Sequence, residues 1–152
     1  MTVEIPTEST PILSLVPDLD AKELEKQLIY CRRLEESGRR GLAFYLADMK
    51  RTGKHKLLGH PSAVAWAVAN LDMSTSTACE YISIGESLVE LSCIDEAFAR
   101  GEIGWTKTRS LTRIVTPETE KAWLDVAMKV NCRRLEDEVR GMEKGQLPRQ
   151  GK

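Results

Sequence analysis

Basic residues are concentrated in one stretch of the chain, residues 39–60. Six cations accompany a single acid there, Asp48, and give the stretch a net charge of +5. The cations are Arg39, Arg40, Lys50, Arg51, Lys54 and Lys56. Neutralisation of phosphates by such groups supplies most of the nonspecific affinity for nucleic acids. The preferred interpretation of the stretch is a solvated helix end and loop, and the alternative is a DNA-backbone patch.

A second basic stretch, GEIGWTKTRSLTRI, carries Lys107, Arg109 and Arg113 with no acid between Gly104 and Val115. A short helix with these cations and several threonines can lie against phosphates. Successive helical residues turn by about 100°, so the cations do not all share one side. Pairing of the cations with the acidic helix before them is the preferred interpretation, and DNA contact is the alternative.

A third candidate, weaker than the other two, is the helix that starts at Thr75. A helix ending at Asn70, the turn LDMS and this helix have the layout of a helix-turn-helix, in which Thr75, Ser76 and Thr77 would touch base edges. However, residues 80–102 have a net charge of −5, and an acidic neighbourhood opposes docking on DNA. The preferred interpretation is an antiparallel helix pair with a well-capped turn.

Catalytic and metal-binding patterns are not found in the sequence. It contains no glycine-rich phosphate loop, no HExxH and no GxSxG. The only two histidines, His55 and His60, are too few for an HNH-type metal site. The four cysteines are widely spaced and predict buried thiols rather than disulfides or metal ligands: Cys31, Cys79, Cys93 and Cys132. We therefore predict no catalytic residue, no cofactor and no metal.

Composition indicates an ordinary globular chain. The 152 residues suit one domain, with 41% hydrophobic and 30% charged residues and few aromatic ones. The net charge of −1 argues against a uniformly basic nucleic-acid binder, so any DNA contact must use a local patch. No apolar run approaches the roughly 20 residues of a membrane span, and the acidic N-terminus lacks the basic start of a secretory signal. These features predict a cytoplasmic protein that does not use a membrane.

The elements predict an all-α fold of about six or seven helices, because no segment alternates like a strand. We expect a flexible tail at residues 1–17, in which Ile12, Leu13, Leu15 and Val16 could dock on the body. A helical domain follows at residues 18–140, and residues 141–152 form a polar tail or linker that frays. Helix starts are predicted at Asp18 or Asp20, Ser62, Ser74, Ser92, Trp105, Thr116 with Pro117, and Asn131. The first helix ends at Gly53, and Ser37 with Gly38 could interrupt it.

Residues 60–140 resemble the helical region that precedes the HNH nuclease domain in many bacterial HNH endonuclease-like proteins. The elements that carry the resemblance occur in the family's order: the helix HPSAVAWAVAN, the turn LDMSTSTA, the segment CIDEAFARGEIG, the helix WTKTRSLTRIV and TPETE. Two features depart from the family pattern. Cys93 stands where the family often has a proline, and the helix after the turn is short of arginine.

The resemblance implies a role beside a nuclease. The family's nuclease chemistry belongs to a C-terminal domain, so no catalytic residue can be carried over, and GQLPRQGK looks like a linker to such a domain. The leading hypothesis is a non-catalytic module that positions or regulates an HNH-type nuclease, in cis or in trans, and contacts DNA through its basic patches. The alternative is a protein-interaction or dimerisation module without DNA binding, which could form a homo-oligomer. An enzyme with an unfamiliar site is the third hypothesis.

Overall fold

The computed structural model describes residues 13–149, which form an all-α array and so confirm the predicted fold class. These residues contain no strand. In chain order the seven α-helices are α1 (Ala21–Thr52), α2 (Ala63–Asn70), α3 (Thr75–Glu90), α4 (Ser92–Ala99), α5 (Trp105–Thr112), α6 (Glu120–Lys129) and α7 (Cys132–Val139), with a short 3₁₀ helix at Lys54–Lys56. No helix in the described part of the chain is long and apolar enough to cross a membrane.

Helix α1 is a single rod of 32 residues. Asp20 caps its start, since the Asp20 side chain accepts a hydrogen bond from the Glu23 backbone N–H at 2.8 Å. Gly53 ends it in the left-handed conformation, with φ of 70°, as predicted from its position after Lys50 and Arg51. The possible interruption at Ser37 and Gly38 does not occur, because the helix continues through both residues.

The two halves of α1 have different surroundings. Its second half packs along α3, whereas Leu24 and Leu28 in the first half are 50% and 63% exposed. Within the described chain, residues 13–17 lie along this first half and form a groove over Leu24, Gln27 and Cys31. Leu15 and Val16 remain 86% and 60% exposed, so the suggested docking of the tail on the body is not seen, and Ile12 lies outside the described residues.

The crossing of α1 and α3 is made possible by a glycine. A Cβ atom at Gly85 would overlap the backbone oxygen of Ala43. The same Cβ atom would lie 2.9 Å from the Cβ of Ala47. Real Cβ atoms do not approach a backbone oxygen that closely, so no larger residue fits at position 85 without moving a helix. The two helices pack backbone to backbone at this point.

The hydrophobic core has two parts. The larger part lies among α3 to α7 and includes the fully buried Ile94, Leu111, Trp123 and Leu135. The smaller part joins α1, α2 and α3 through Leu46, Ala63, Ala67, Ala78 and Ile82. On and beside α5, the apolar side chains of Ile103, Leu111 and Ile114 are all buried in the larger part.

The helix-turn-helix-like pair is present. Helix α2 begins after its N-cap Ser62 and α3 begins after Ser74, whose hydroxyl accepts a hydrogen bond from the Thr77 N–H at 3.0 Å. The turn between them holds Asp72 at a positive φ of 50°. Because α3 packs against both α1 and α2, this pair is part of the central architecture.

One predicted helix start, at Thr116 with Pro117, is wrong, and at Ser92 the start is confirmed but Ser92 is not the cap. Ser92 is the first residue of α4 and Leu91 is its N-cap, with no side-chain cap of its own. Helix α6 begins at Glu120 and not at Thr116 with Pro117, because residues 116–119 form a separate turn in which the Thr119 hydroxyl accepts a hydrogen bond from the Thr116 N–H. At α7 the predicted cap is confirmed, with Asn131 accepting from the Arg134 N–H at 2.8 Å.

The chain after α7 returns to the body. The indole N–H of Trp123 donates to the Gln146 carbonyl at 2.8 Å, and the Gly145 N–H donates to the Ile114 carbonyl at the same distance. Met142 packs against the main core. The expectation of fraying is therefore wrong for residues 142–146, because buried polar groups of the core bond to this segment.

Candidate functional site

Two glutamates, each far in sequence from the helix it caps, fix the helices around the candidate site. The Glu36 carboxylate on α1 accepts a hydrogen bond of 2.7 Å from the Trp105 N–H at the start of α5. The Glu120 carboxylate on α6 accepts one of 2.8 Å from the Ile94 N–H in the first turn of α4. Both carboxylates are buried, and a negative charge at a helix N-terminus is favourable because unpaired N–H groups point toward it. These contacts set where α4 and α5 lie relative to α1.

Between these helices lies a groove of about 490 Å³, which we call the basic groove. Cations from α1, from the end of α4 and from α5 line it: Arg32, Arg33, Arg40, Arg100 and Lys107. Its two acidic lining residues are Glu36 and Glu102. Five cations against two acids make its lining electropositive, so it suits an anionic ligand.

Two of the cations are anchored in the walls of the basic groove. Arg40 makes a bidentate pair with Asp95, with nitrogen–oxygen distances of 2.9 and 2.8 Å. The hydrogen bonds that Arg40 donates to Asp95 raise the pKa of Arg40, against an opposite effect of burial. Lys107 donates to the carbonyls of Ala127 and Val130 at 2.6 and 2.5 Å, where a cation complements the C-terminus of α6.

The other groove cations are more accessible. Arg32 is 61% exposed and has an Nη2 atom 3.0 Å from Glu36 Oε1. That buried oxygen has no aligned hydrogen-bond donor, so the contact is electrostatic only. Arg100 is 65% exposed and lies 3.6 Å from Glu96, a distance too long for a strong pair, while Arg33 is exposed with no ion-pair partner among residues 13–149. Arg33 and Arg100 therefore remain free to bind an external anion.

Much of the predicted patch at residues 39–60 is engaged within the protein. Arg39 lies over the Trp105 ring, 5.9 Å from its centroid, and contributes a cation–π contact. Lys50 pairs with Glu86 on α3 at 3.2 Å, and Arg51 pairs with Asp48 at 2.6 Å. Of this patch, Lys54 and Lys56 are exposed without an acidic partner in the described part of the chain.

The three cations of the second stretch are separated by the turn of α5. Lys107 lines the basic groove, whereas Arg109 pairs with Glu80 on α3 at 3.3 Å. Arg113 is exposed past the end of α5. The preferred interpretation therefore holds in part: Arg109 does pair with an acid, but on α3 and not on the helix directly before it.

The predicted base-reading residues of α3 lie apart from the basic groove. Thr75 and Ser76 are exposed, and the Thr77 hydroxyl is hydrogen-bonded to Ser74 at 3.0 Å. Glu80, one turn further on, is paired with Arg109. This pairing reduces the acidic charge beside the turn, yet none of the three predicted residues lines the basic groove.

The histidines and cysteines have other surroundings than predicted. His55 is buried, and its Nδ1 lies 3.1 Å from the His60 carbonyl, so the loop is not fully solvated. The prediction of buried thiols is wrong, because Cys31, Cys79 and Cys132 are exposed and Cys93 is half-buried. Within residues 13–149, no group of three or more His, Cys, Asp or Glu side chains could hold a metal ion.

Sequence reasoning missed three of the five groove cations: Arg32, Arg33 and Arg100. The net charge of a sequence window does not reveal these cations. Glu35 and Glu36 follow Arg32 and Arg33, and Glu96 and Glu102 flank Arg100. No local signal predicts that α1 and the end of α4 face each other. The Arg40–Asp95 pair joins α1 to α4 directly, while the capping contacts of Glu36 and Glu120 join α1 to α5 and α6 to α4.

Comparison of the chain with family models, curated proteins and solved structures finds no match.

Proposed function

We propose that this chain is a non-catalytic helical module that contacts the phosphate backbone of DNA through the basic groove and positions or regulates an HNH-type nuclease. The observation that carries the DNA part is the convergence of cations from α1, α4 and α5 on one groove. Residues far apart in sequence supply this charge, so it is a property of the folded chain.

The chemistry of the groove favours backbone contact over base reading. Arg33 and Arg100 are the accessible guanidinium groups, and such groups bind phosphate oxygens in a bidentate manner. Arg40 and Lys107 hold the walls through their internal partners. The two accessible guanidinium groups come from separate helices and not from one helix face, so we expect mainly backbone contact and weak sequence preference.

Lys54, Lys56 and Arg113 are further candidate contacts. All three are exposed, and none has an ion-pair partner in the described chain. They lie outside the basic groove and would add phosphate contacts only where DNA extends past it.

The association with a nuclease rests on the family resemblance of residues 60–140. A helical module beside a nuclease gains from weak backbone affinity, because it raises the local concentration of DNA without competing for the target sequence. The partner is an HNH-type domain in cis or in trans.

Fluorescence anisotropy with a labelled DNA duplex at several salt concentrations tests DNA binding. Each phosphate contact contributes a slope of roughly −0.9 in a plot of log K against log salt, so about three contacts give a slope near −3. Arg33→Glu combined with Arg100→Glu should weaken binding by about 100-fold or more at low salt, since both charges are reversed. Lys121→Glu on the exposed surface of α6 is the matched control and should change affinity little. An affinity that does not fall as salt is raised would overturn the proposal. So would a loss of affinity in Lys121→Glu as large as that in the double variant.

The non-catalytic part has its own test. Supercoiled plasmid incubated with the purified chain and Mg²⁺ or Mn²⁺ should stay supercoiled. Metal-dependent nicking that copurifies with the chain and is lost in a groove variant would contradict this part and favour an enzyme.

A further inference from the structure

The first half of α1 presents apolar side chains to solvent. Leu24, Leu28 and Ile29 are 50%, 63% and 49% exposed, and Glu36 is the first buried residue of the helix. Within residues 13–149 the only segment along this half is the stretch just before α1, which forms one wall of a groove of about 660 Å³. A length of helix with an apolar side is thus exposed beyond the helical body.

Such a helix gains little stability by itself. Isolated helices of fewer than about 12 to 15 residues are marginal in water, and most helical stability comes from packing of an apolar face. Gly38 and Gly41 lie inside α1 with no atom within 4 Å of an added Cβ. Interior glycines cost about 1 kcal/mol each, and no contact within the chain accounts for these two.

A stripe of apolar residues, interrupted by Glu35 and Gly38, follows alternating spacings of three and four, the spacing of a two-helix seam. Its members are Ala21, Leu24, Leu28, Cys31, Glu35, Gly38, Leu42 and Tyr45. The stripe continues past the exposed half onto the body. There Gly38, Leu42 and Tyr45 line a second groove, about 260 Å³ in volume, whose other wall includes Trp66 of α2.

We infer that a second copy of this chain covers the stripe, with the two α1 helices antiparallel about a two-fold axis at residue 33. This register makes each residue of the stripe face another residue of the stripe. Leu28 faces Gly38 of the second copy, Leu24 faces Leu42 of the second copy, and Ala21 faces Tyr45 of the second copy.

The register is self-complementary in size and in charge. A large residue meets a small one at both Leu28 with Gly38 and Tyr45 with Ala21, so Gly38 provides the space that the apolar groove shows. Beside the seam, Glu25 faces Arg39 of the second copy, an opposite-charge pair in which Arg39 also keeps its contact with the Trp105 ring of its own chain. Arg32 meets its own copy at the axis, where Glu35 and Glu36 of each chain already balance it.

The antiparallel pairing of the two α1 helices also gives a closed two-fold assembly. The body of each chain attaches to the second half of α1, so an antiparallel pair places the two bodies at opposite ends. Each copy gives its exposed first half to the groove beside Trp66 of the other copy. A two-fold contact of this kind uses the same surface twice and ends at a dimer.

Size-exclusion chromatography with multi-angle light scattering tests the association. We expect twice the 17.1 kDa mass of the chain at micromolar concentration. Leu24→Glu combined with Leu28→Glu should give a monomer with unchanged circular dichroism of the body. Leu57→Glu replaces a more exposed leucine off the stripe and should stay a dimer. A monomeric wild-type chain at 100 µM, or a dimer unaffected by the stripe variant, would overturn the inference.

Disulfide crosslinking tests the register. In a chain with its four native cysteines replaced by serine, Leu28→Cys and Gly38→Cys are ten residues apart, about 15 Å along one helix, too far for a bond within a chain. Mild oxidation should give a reducible dimer with both substitutions and little dimer with Leu28→Cys alone. Equal crosslinking by Leu28→Cys alone indicates parallel helices and would overturn the antiparallel pairing.

Discussion

The carboxylate of Glu36 lies 2.7 Å from the backbone nitrogen of Trp105, from which it accepts a hydrogen bond across 69 positions of sequence. One side chain of the longest helix thereby holds the start of a short basic helix. The same glutamate is an acidic member of the basic groove. Its replacement therefore has separable effects on stability and on DNA binding.

Glu36→Gln should lower stability slightly and raise DNA affinity. The amide oxygen can still accept from Trp105, so the loss is limited to the charge at the helix N-terminus, about 0.5–1 kcal/mol. Removal of one negative charge from the basic groove should strengthen DNA binding severalfold at low salt. Urea denaturation and anisotropy measure the two effects. Glu90→Gln at the exposed end of α3, outside the basic groove, is the control, and unchanged affinity in Glu36→Gln would argue against DNA in the groove.

Glu120→Ala should destabilise the fold by about 1–3 kcal/mol. The substitution leaves the buried Ile94 N–H without its acceptor, and a buried unsatisfied donor costs this amount. Thermal and urea denaturation followed by circular dichroism measure the change. Glu118→Ala, two residues earlier and exposed, should stay within about 0.5 kcal/mol of wild type. Equal stability of the two variants would contradict the assigned cap.

Gly85→Ala should destabilise the protein by about 3 kcal/mol or prevent folding. The added methyl group would overlap the backbone of Ala43, which cannot move away without separating α1 from α3. Gly41→Ala is the matched change in an open helical position and should be neutral or stabilising by up to about 1 kcal/mol. Denaturation midpoints of the two variants check this prediction, provided that the unfolding free energies depend on denaturant with the same slope. A Gly85→Ala protein as stable as wild type would refute the close crossing.

Lys107→Met should cost about 1–2 kcal/mol, since it removes the donor to two carbonyls at the C-terminus of α6. The methionine keeps most of the apolar stem, so packing changes little. Lys129→Met on the same helix end is exposed and serves as the control. If the two methionine variants unfold at the same urea concentration, the assigned role of Lys107 is wrong.

Tyr81 should ionise at a higher pH than in the unfolded chain. Its ring stacks on Trp105 with centroids 4.5 Å apart, and burial raises its pKa above 10.0, while Arg39 opposes the rise. Because the folded state keeps the proton longer, stability should fall as the pH rises from the unfolded to the folded pKa. Absorbance at 295 nm follows the titration. Tyr81→Phe should remove the ionisation step at the highest pH. A tyrosine titration of the folded chain that matches that of the unfolded chain would contradict the raised pKa of Tyr81.

Much of the helical architecture could be read from local signals. Asp20, Ser74 and Asn131 each cap the predicted helix, because a cap requires only a side-chain oxygen and an N–H group three residues on. The cap of α4 and the start of α6 were predicted wrongly because local signals do not show distant caps or turns that end early. Glu120 supplies the cap of α4 from a distant helix, and the turn at Thr116 resembles a helix start without continuing into one.

The sequence by itself determined the all-α class, the boundaries of most helices and the presence of basic residues, because periodicity, caps and charge are local properties. Only the tertiary structure decided which cations meet an internal partner and which line a common groove. Arg40 finds Asp95 and Arg109 finds Glu80, whereas Arg33 and Arg100 converge from separate helices. The charge of a segment can be counted from the sequence. Which partner each charged side chain meets depends on helix packing, through contacts such as Gly85 with Ala43 that bring distant segments together.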